Sequence, residues 1–330
     1  MSKVYRLRKK RAFIFFAFAC LIFVWINNVG SSEEVPVTSK IETMPVATVS
    51  SSTAAYTAST STTQTTTIPH IDTPTCKAAA LYCIDDEKLL YSDNISRRIA
   101  PASMTKLLTA SVALKYMNTD EILTVGSEQY LVQPYSSLCG VQWGSTATLE
   151  TFIKGLLLSS GNDAAYTIGV STARKLNPEL YLTDTEAVER FCMLMNGLAL
   201  DIGMTDSHFV NPDGWDDDNQ YTTVSDLLLL TQYAMTVPEI REAVGIYQMN
   251  AEFISGDAYD WKNSNLLLDP YSEYYCENAI GVKTGTTLNA GNCLISSFII
   301  DGKTYIAIVA GCETDSDRYE LTLKLLSYFT

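Results

Sequence analysis

The stretch AIGVKTGTTLNAGNCLISSFIIDGKTYIAIVAG, residues 279–311, decides how the rest of the chain is read. It divides into three apolar, β-rich runs, Ala279–Thr284, Asn292–Ile300 and Lys303–Gly311, separated by turn residues at Asn289-Ala290-Gly291 and Asp301-Gly302. Runs of this kind, bounded by Gly, Asn and Asp, predict three consecutive strands joined by tight turns. Toward the C-terminus, Asp317–Tyr328 has helical spacing; toward the N-terminus, so do Ser225–Thr236, Ala187–Leu200, Leu149–Val170 and Ser103–Met117. Ser103 stands where the first turn of its helix begins. Further out, Ala78–Ile84, a turn at Asp85-Asp86 and Lys88–Ser92 read as a hairpin. Strands at both ends with helices between them predict an α+β fold, in which an antiparallel sheet flanked by helices carries an inserted all-helical lobe. No internal repeat is visible.

Charge and composition narrow the function. The 330 residues carry 23 Lys+Arg against 37 Asp+Glu, a formal charge of −14. Nucleic acid is thereby excluded as a partner, because phosphate binding needs a clustered cationic surface. The charge is uneven: Lys3, Arg6, Arg8, Lys9, Lys10 and Arg11 make the tip basic and leave an acidic body. Ala12–Ile26 follows as an unbroken apolar run. A basic flank before such a run predicts a signal-anchor or signal peptide over residues 1–30, with later residues on the extracytoplasmic face of the cell membrane, or secreted if the segment is cleaved. Cys20 inside that run is read as a lipid-facing side chain. From 31 to 75 almost half the residues are Ser or Thr and few are large and apolar. That composition predicts a disordered tether, in which His70 is an exposed bystander. Residues 76–330 remain as one large domain.

Three short motifs follow in order: Ser103-Met104-Thr105-Lys106, Ser160-Gly161-Asn162 and Lys283-Thr284-Gly285. In a Ser-x-x-Lys the amine lies one helical turn from the hydroxyl, on the same face, where it can take the hydroxyl proton if its pKa falls. Burial beside a second cation, Lys283, would push it down. A helix start at Ser103 offers backbone N–H groups to a developing oxyanion. With only two histidines, His70 and His208, a Ser-His-Asp arrangement has little to draw on. Singly the motifs are weak, since Ser-x-x-Lys and Ser-x-Asn each arise about once by chance in a chain this long. Ser92-Asp93-Asn94 illustrates the danger; at a hairpin end it reads as a turn.

Four segments lift the set above chance: RIAPASMTK at 98–106, LLLSSGNDAA at 156–165, HFVNPDG at 208–214 and GVKTGTT at 281–287. Together they resemble the low-molecular-mass penicillin-binding proteins, the serine-type D-alanyl-D-alanine carboxypeptidases, across nearly all of 76–330. The resemblance implies a β-lactamase/transpeptidase-like fold and no cofactor or metal. It implies removal of the terminal D-alanine from a peptidoglycan stem peptide ending in D-Ala-D-Ala, through an acyl-enzyme that β-lactams imitate and block. In that scheme Ser103 is the nucleophile, Lys106 its base, Ser160 a proton relay connected to Lys283, and Asn162 a holder of the substrate amide. The N–H of Thr286 is the second oxyanion donor, and the substrate pairs along the strand of Thr284 and Gly285. Arg318, with Thr284 and Thr286, takes the terminal carboxylate; the alternative for Arg318 is an ion pair with Asp315 or Asp317. The family segment makes His208 a satisfied, partly buried histidine, and Asp216-Asp217-Asp218 is read as a solvated loop. Many members continue into a β-rich second domain, and none is expected within these 330 residues.

Three rivals stay open at this point. A class A β-lactamase places Asp where this chain has Gly161, and a deacylating Glu-x-x-Leu-Asn is not found. A DD-endopeptidase or transpeptidase shares the acyl-enzyme, and a silent penicillin-sensing module would share only its shell. Seven cysteines outside the anchor are unusual for the family. Antiparallel pairing of the first and last strands, as in the family sheet, makes a Cys76–Cys312 bridge feasible; a chain with no bridges is equally compatible.

Overall fold

The computed structural model describes residues 76–330. The expected anchor and tether, with Cys20 and His70, lie outside the described residues. The main sheet is built from β1 (Ala78–Cys83), β2 (Lys88–Asp93), β7 (Ala279–Thr287), β8 (Gly291–Ile300) and β9 (Lys303–Cys312). These five strands are antiparallel and lie in the order β2-β1-β9-β8-β7. The central strands are mostly apolar because both faces are covered, with Ser296 and Ser297 of β8 buried among them. In β9, Ile306, Ile308 and Ala310 join one buried cluster while Tyr305, Ala307 and Val309 join the other. The first cluster faces the helical lobe; the second lies under the C-terminal helix α7 (Asp315–Phe329). Thr314 caps α7, accepting from Asp317 N while the Asp317 carboxylate accepts from Thr314 N at 2.9 Å.

The lobe holds α1 (Thr105–Tyr116), α2 (Leu149–Leu158), α3 (Asn162–Leu176), α4 (Asp184–Asp201), α5 (Val224–Thr236) and α6 (Pro238–Gly245). Helix α1 touches each of the other five, and every residue from Thr105 to Ala113 is buried. A helix buried all round, rather than on one stripe, is the mark of a domain's centre. Fully buried Leu107 and Leu108 each contribute about 1.5–3 kcal/mol by removal from water. Two small sheets, β3 (Ile122–Thr124) with β4 (Thr146–Thr148) and β5 (Gln248–Glu252) with β6 (Ala258–Lys262), have no counterpart among the sequence expectations. Short strands of mixed polarity leave no periodic signal.

The stretch 149–170, read as one helix, is two. Helix α2 ends at Leu158 and α3 begins at Asn162, with Ser160 between them at φ +57°. The break falls in Ser159-Ser160-Gly161-Asn162-Asp163, a run of small and polar residues of the kind that marks turns, which the helical reading of its apolar flanks passes over. Ser92-Asp93-Asn94 finishes β2, and Asn94 turns the chain at φ +50°. Strand β1 runs antiparallel to β9, pairing Ala78 with Ala310, and a disulfide joins Cys76 to Cys312. Cys83, Cys139, Cys192 and Cys293 are buried free thiols, and Cys276 is half-buried.

Candidate active site

Ser103 lies in a short 3-10 turn, Ala102–Met104, that leads into α1. Ala102 holds φ +47°, a conformation that costs a non-glycine residue energy and persists where its surroundings over-determine it. The surroundings are visible. A Cβ on Gly285 would come within 3.0 Å of Ala102 Cβ and 3.2 Å of Ser103 N, so β7 lies directly against the serine turn. On the other side Gly214, at φ +90°, brings the 208–214 segment so close that a Cβ there would sit 1.8 Å from Ala102 O. Gly214→Ala is therefore expected to cost on the order of 3 kcal/mol. Read as melting temperature, that is a loss of about 6–12 °C; an unchanged melting curve would contradict the packing described.

The spacing reading of Ser103 and Lys106 meets a defined geometry. Lys106 Nζ is 2.9 Å from Ser103 Oγ and 2.7 Å from the carbonyl oxygen of Asp213. Its side chain has no solvent exposure. Burial pushes its pKa down to about 8, although the carboxylates of Asp213 and Asp163 pull the other way. Lys283 is buried too and lies well below the usual lysine range, first through burial and then through repulsion by Lys106 and Arg318. Of the two causes expected for Lys106, burial is the larger, and the repulsion between the two buried amines is mutual.

Ser160 lies in the break between α2 and α3, Asn162 opens α3, and both are buried. Asn162 Nδ2 donates to Asp213 Oδ2 at 2.5 Å. Its backbone N donates to Ser137 O at 2.8 Å, which ties the start of α3 to the loop before β4. Lys283 Nζ donates to Thr284 O at 3.1 Å, so the Lys283–Ser160 connection implied by the resemblance is not the contact seen. Thr284 Oγ1 is 2.5 Å from Ser264 Oγ, a residue the motifs do not single out.

Of the two readings of Arg318, the ion pair with Asp315 is the contact present. Its guanidinium pairs with Asp315 across one turn of α7, and its Nη1 donates to Thr286 Oγ1 and to Cys293 O, each at 3.2 Å. It is 6% exposed, beside the end of β7. Two lesser readings are corrected. Asp216 is not simply solvated: its carboxylate accepts from Thr287 Oγ1 at 2.6 Å and Asn289 N at 2.9 Å, tying its loop to the β7–β8 turn. His208 is exposed rather than partly buried, with Nδ1 2.7 Å from Asn219 O, because its backbone pairs with Tyr221 at the surface.

The residue that sequence reasoning missed is Asp213. Its side chain is 1% exposed, and burial raises its pKa while Lys106 and Asn162 oppose the rise. It serves Asn162 through its carboxylate and Lys106 through its carbonyl, and so joins two motifs that are distant in sequence. The only signal was its place in HFVNPDG, a segment otherwise read as structural. Among the described residues, no group of three or more His, Cys, Asp or Glu could hold a metal ion. What the cluster offers is a hydroxyl beside a low-pKa amine, next to an edge strand and a buried guanidinium. That set can form and resolve an ester on Ser103 without a histidine.

A family model described as D-alanyl-D-alanine carboxypeptidase matches residues 63–314. D-alanyl-D-alanine carboxypeptidase DacF of Bacillus subtilis (strain 168) is 27% identical over 255 residues, covering 76% of this chain and 61% of that protein. D-alanyl-D-alanine carboxypeptidase DacC of Escherichia coli (strain K12) is 28% identical over 269 residues, covering 78% and 62%. The chain thus spans about three fifths of the length of these two relatives. Among solved structures, the Streptomyces K15 DD-transpeptidase superposes with a TM-score of 0.69 at 28% identity, covering 78% of this chain and 98% of that one.

Proposed function

The chain belongs to the D-alanyl-D-alanine carboxypeptidase family, and from that premise we propose that it removes the terminal D-alanine from peptidoglycan stem peptides through an acyl-enzyme on Ser103. The observation that carries this reading is the 2.9 Å approach of Lys106 Nζ to Ser103 Oγ in a setting that lowers the lysine to about 8. Protonated, Lys106 donates to the hydroxyl; deprotonated, it accepts the hydroxyl proton as Oγ attacks the carbonyl before the terminal residue. The N–H groups of Ser103 and Thr286 receive the oxyanion. Ser160 passes a proton to the departing amine, and water then cleaves the ester and restores the serine. The substrate backbone lies along β7, an edge strand open to pairing, with Asn162 holding its amide. The sequence of steps consumes one water and releases D-alanine.

The carboxypeptidase specificity falls to Arg318, Thr284 and Thr286, where a terminal carboxylate meets a buried guanidinium. Arg318→Leu is expected to reduce kcat/KM for a free stem pentapeptide by roughly 10- to 10²-fold, the range for losing a charge-assisted partner. An equal kcat/KM in variant and parent would remove the residue from the carboxylate site. Asp213 acts as a positioning residue. Its charge supports the protonated form of Lys106, so Asp213→Asn should move the rise in penicillin acylation rate to lower pH, while a midpoint that stays in place or rises would refute that role.

The reading extends to partners and location. β-Lactams are taken as covalent inhibitors of Ser103; penicillin-binding protein D2 of Listeria monocytogenes, solved in an ampicillin-bound form, supports this. The basic tip and the run Ala12–Ile26 support a membrane tether with the body outside, where a disulfide such as Cys76–Cys312 persists. Among the described residues no helix is long and apolar enough to cross a membrane. The deciding experiment is D-alanine release from a stem pentapeptide, with an amino acceptor present and absent. Free tetrapeptide as the main product supports hydrolysis; transfer product predominating would make the chain a transpeptidase, and fast nitrocefin turnover a β-lactamase.

A further inference from the structure

Between Gln129 and Ser145 the chain contains no Asp, Glu, Lys, Arg or His, although charged residues make up 18% of the whole. The same segment holds Tyr130 at 81%, Tyr135 at 104%, Leu138 at 54% and Trp143 at 61% exposure. A charge-free, aromatic surface on so acidic a protein is a local exception. It surrounds a cleft of about 270 Å³ whose lining includes Gln129, Gln133, Tyr135, Leu138, Gln142 and, from the start of α3, Asp163. That volume is near the lower end of ligand pockets, about 300–1,000 Å³, and suits one ring-sized group.

The segment is firmly held, and what holds it is the catalytic neighbourhood. The Asp163 carboxylate accepts from the backbone N of Cys139 at 3.0 Å, of Gly140 at 2.8 Å and of Val141 at 3.2 Å. Gln129 Nε2 donates to Val141 O at 2.7 Å, and Trp261 Nε1 donates to Cys139 O at 2.8 Å. Asp163 directly follows Asn162, whose own N–H bonds Ser137 O. The loop around the cleft is therefore hydrogen-bonded to the Ser-Gly-Asn corner of the candidate active site, and Asp163 of the lining directly follows that corner. Tyr130 and Trp143, each next in sequence to a lining glutamine, stand together with ring centroids 5.8 Å apart.

We propose that this cleft is a carbohydrate subsite that takes a neutral N-acetylhexosamine ring of the glycan carrying the stem peptide. The proposal deepens the carboxypeptidase reading and rests on it for the source of the sugar. A pyranose has apolar C–H faces, which stack on Tyr and Trp rings, and a rim of hydroxyl and acetamido groups, which glutamine amides can both donate to and accept from. The absence of charge on the loop suits a neutral sugar and disfavours an anionic polymer or lipid headgroup, which would seek Lys or Arg. Rigid aromatics need little ordering on binding, so the stacking is obtained at low entropic cost.

The test compares kcat/KM for D-alanine release from the free pentapeptide and from the same peptide on a GlcNAc-MurNAc disaccharide, using the full chain. The wild type should prefer the disaccharide substrate roughly tenfold, and Tyr135→Ala/Trp143→Ala should bring that ratio close to one. A ratio near one in the wild type, or a ratio kept by the double variant, overturns the subsite. No release from either substrate would sink the carboxypeptidase reading instead. Sedimentation with peptide-free glycan strands then decides the subsite alone: wild-type binding that the double variant loses supports it, and absence of wild-type binding overturns it. Binding to phosphatidylglycerol vesicles that the double variant loses, with no glycan binding, would make the loop a membrane contact and overturn the proposal.

Discussion

Ser103→Ala is expected to lower D-alanine release by roughly 10⁴- to 10⁶-fold, the cost of deleting a nucleophile whose partners remain in place. It should also abolish covalent labelling by fluorescent penicillin, because the ester needs Oγ. The replacement removes one atom from a half-exposed side chain in a turn fixed by Gly285 and Gly214 on either side, so folding should be kept. Equal melting temperatures for variant and parent would separate lost chemistry from lost structure. A label that survives the substitution would place the nucleophile elsewhere and dissolve the role given to Lys106.

The second large effect concerns Lys106 and has a pH signature. With a pKa of about 8, Lys106 is unprotonated in about one molecule in ten at pH 7 and in most molecules at pH 9. Acylation by penicillin under subsaturating conditions should therefore rise roughly tenfold between those values and level off above them. The sign follows from the base form being the active one: raising pH through the lysine pKa creates it. Lys106→Arg should reduce acylation by roughly 10²- to 10⁴-fold and remove the rise, since a guanidinium does not give up its proton. Because position 106 is fully buried, Lys106→Gln provides a second variant of smaller size, for which the same flat profile is expected. A wild-type rate that falls with rising pH across this interval would exclude a neutral lysine base.

The two expectations draw on different amounts of sequence information. Ser103 and Lys106 are three residues apart at one helix start, so helical geometry alone brings their side chains together. The strands of 279–311 are legible for a similar reason: their turns are marked by Asn, Gly and Asp, and their apolar runs are long. Ser160 is legible as part of a motif, and the break it sits in is marked by the run Ser159-Ser160-Gly161-Asn162-Asp163, but the apolar flanks on both sides outweigh that signal. Asp213 and Ser264 are not legible as members of the site. Asp213 is 107 residues from Lys106 and Ser264 is 20 from Thr284, and neither distance has a local rule.

By itself, the sequence determined the alternation of strands and helices, the order of the three motifs and the acidity that excludes nucleic acid, because each is a property of neighbouring residues or of their sum. Only the tertiary structure decided which lysine is shifted by what. Burial depends on everything packed around a side chain, and it placed the main cause of the Lys106 shift in desolvation rather than in Lys283. It likewise decided that an ordinary Asn-Pro-Asp-Gly segment folds over the serine turn and supplies a buried carboxylate, and that a charge-free loop meets the Ser-Gly-Asn corner. Such meetings are set by the closure of the whole chain, which no spacing within it records.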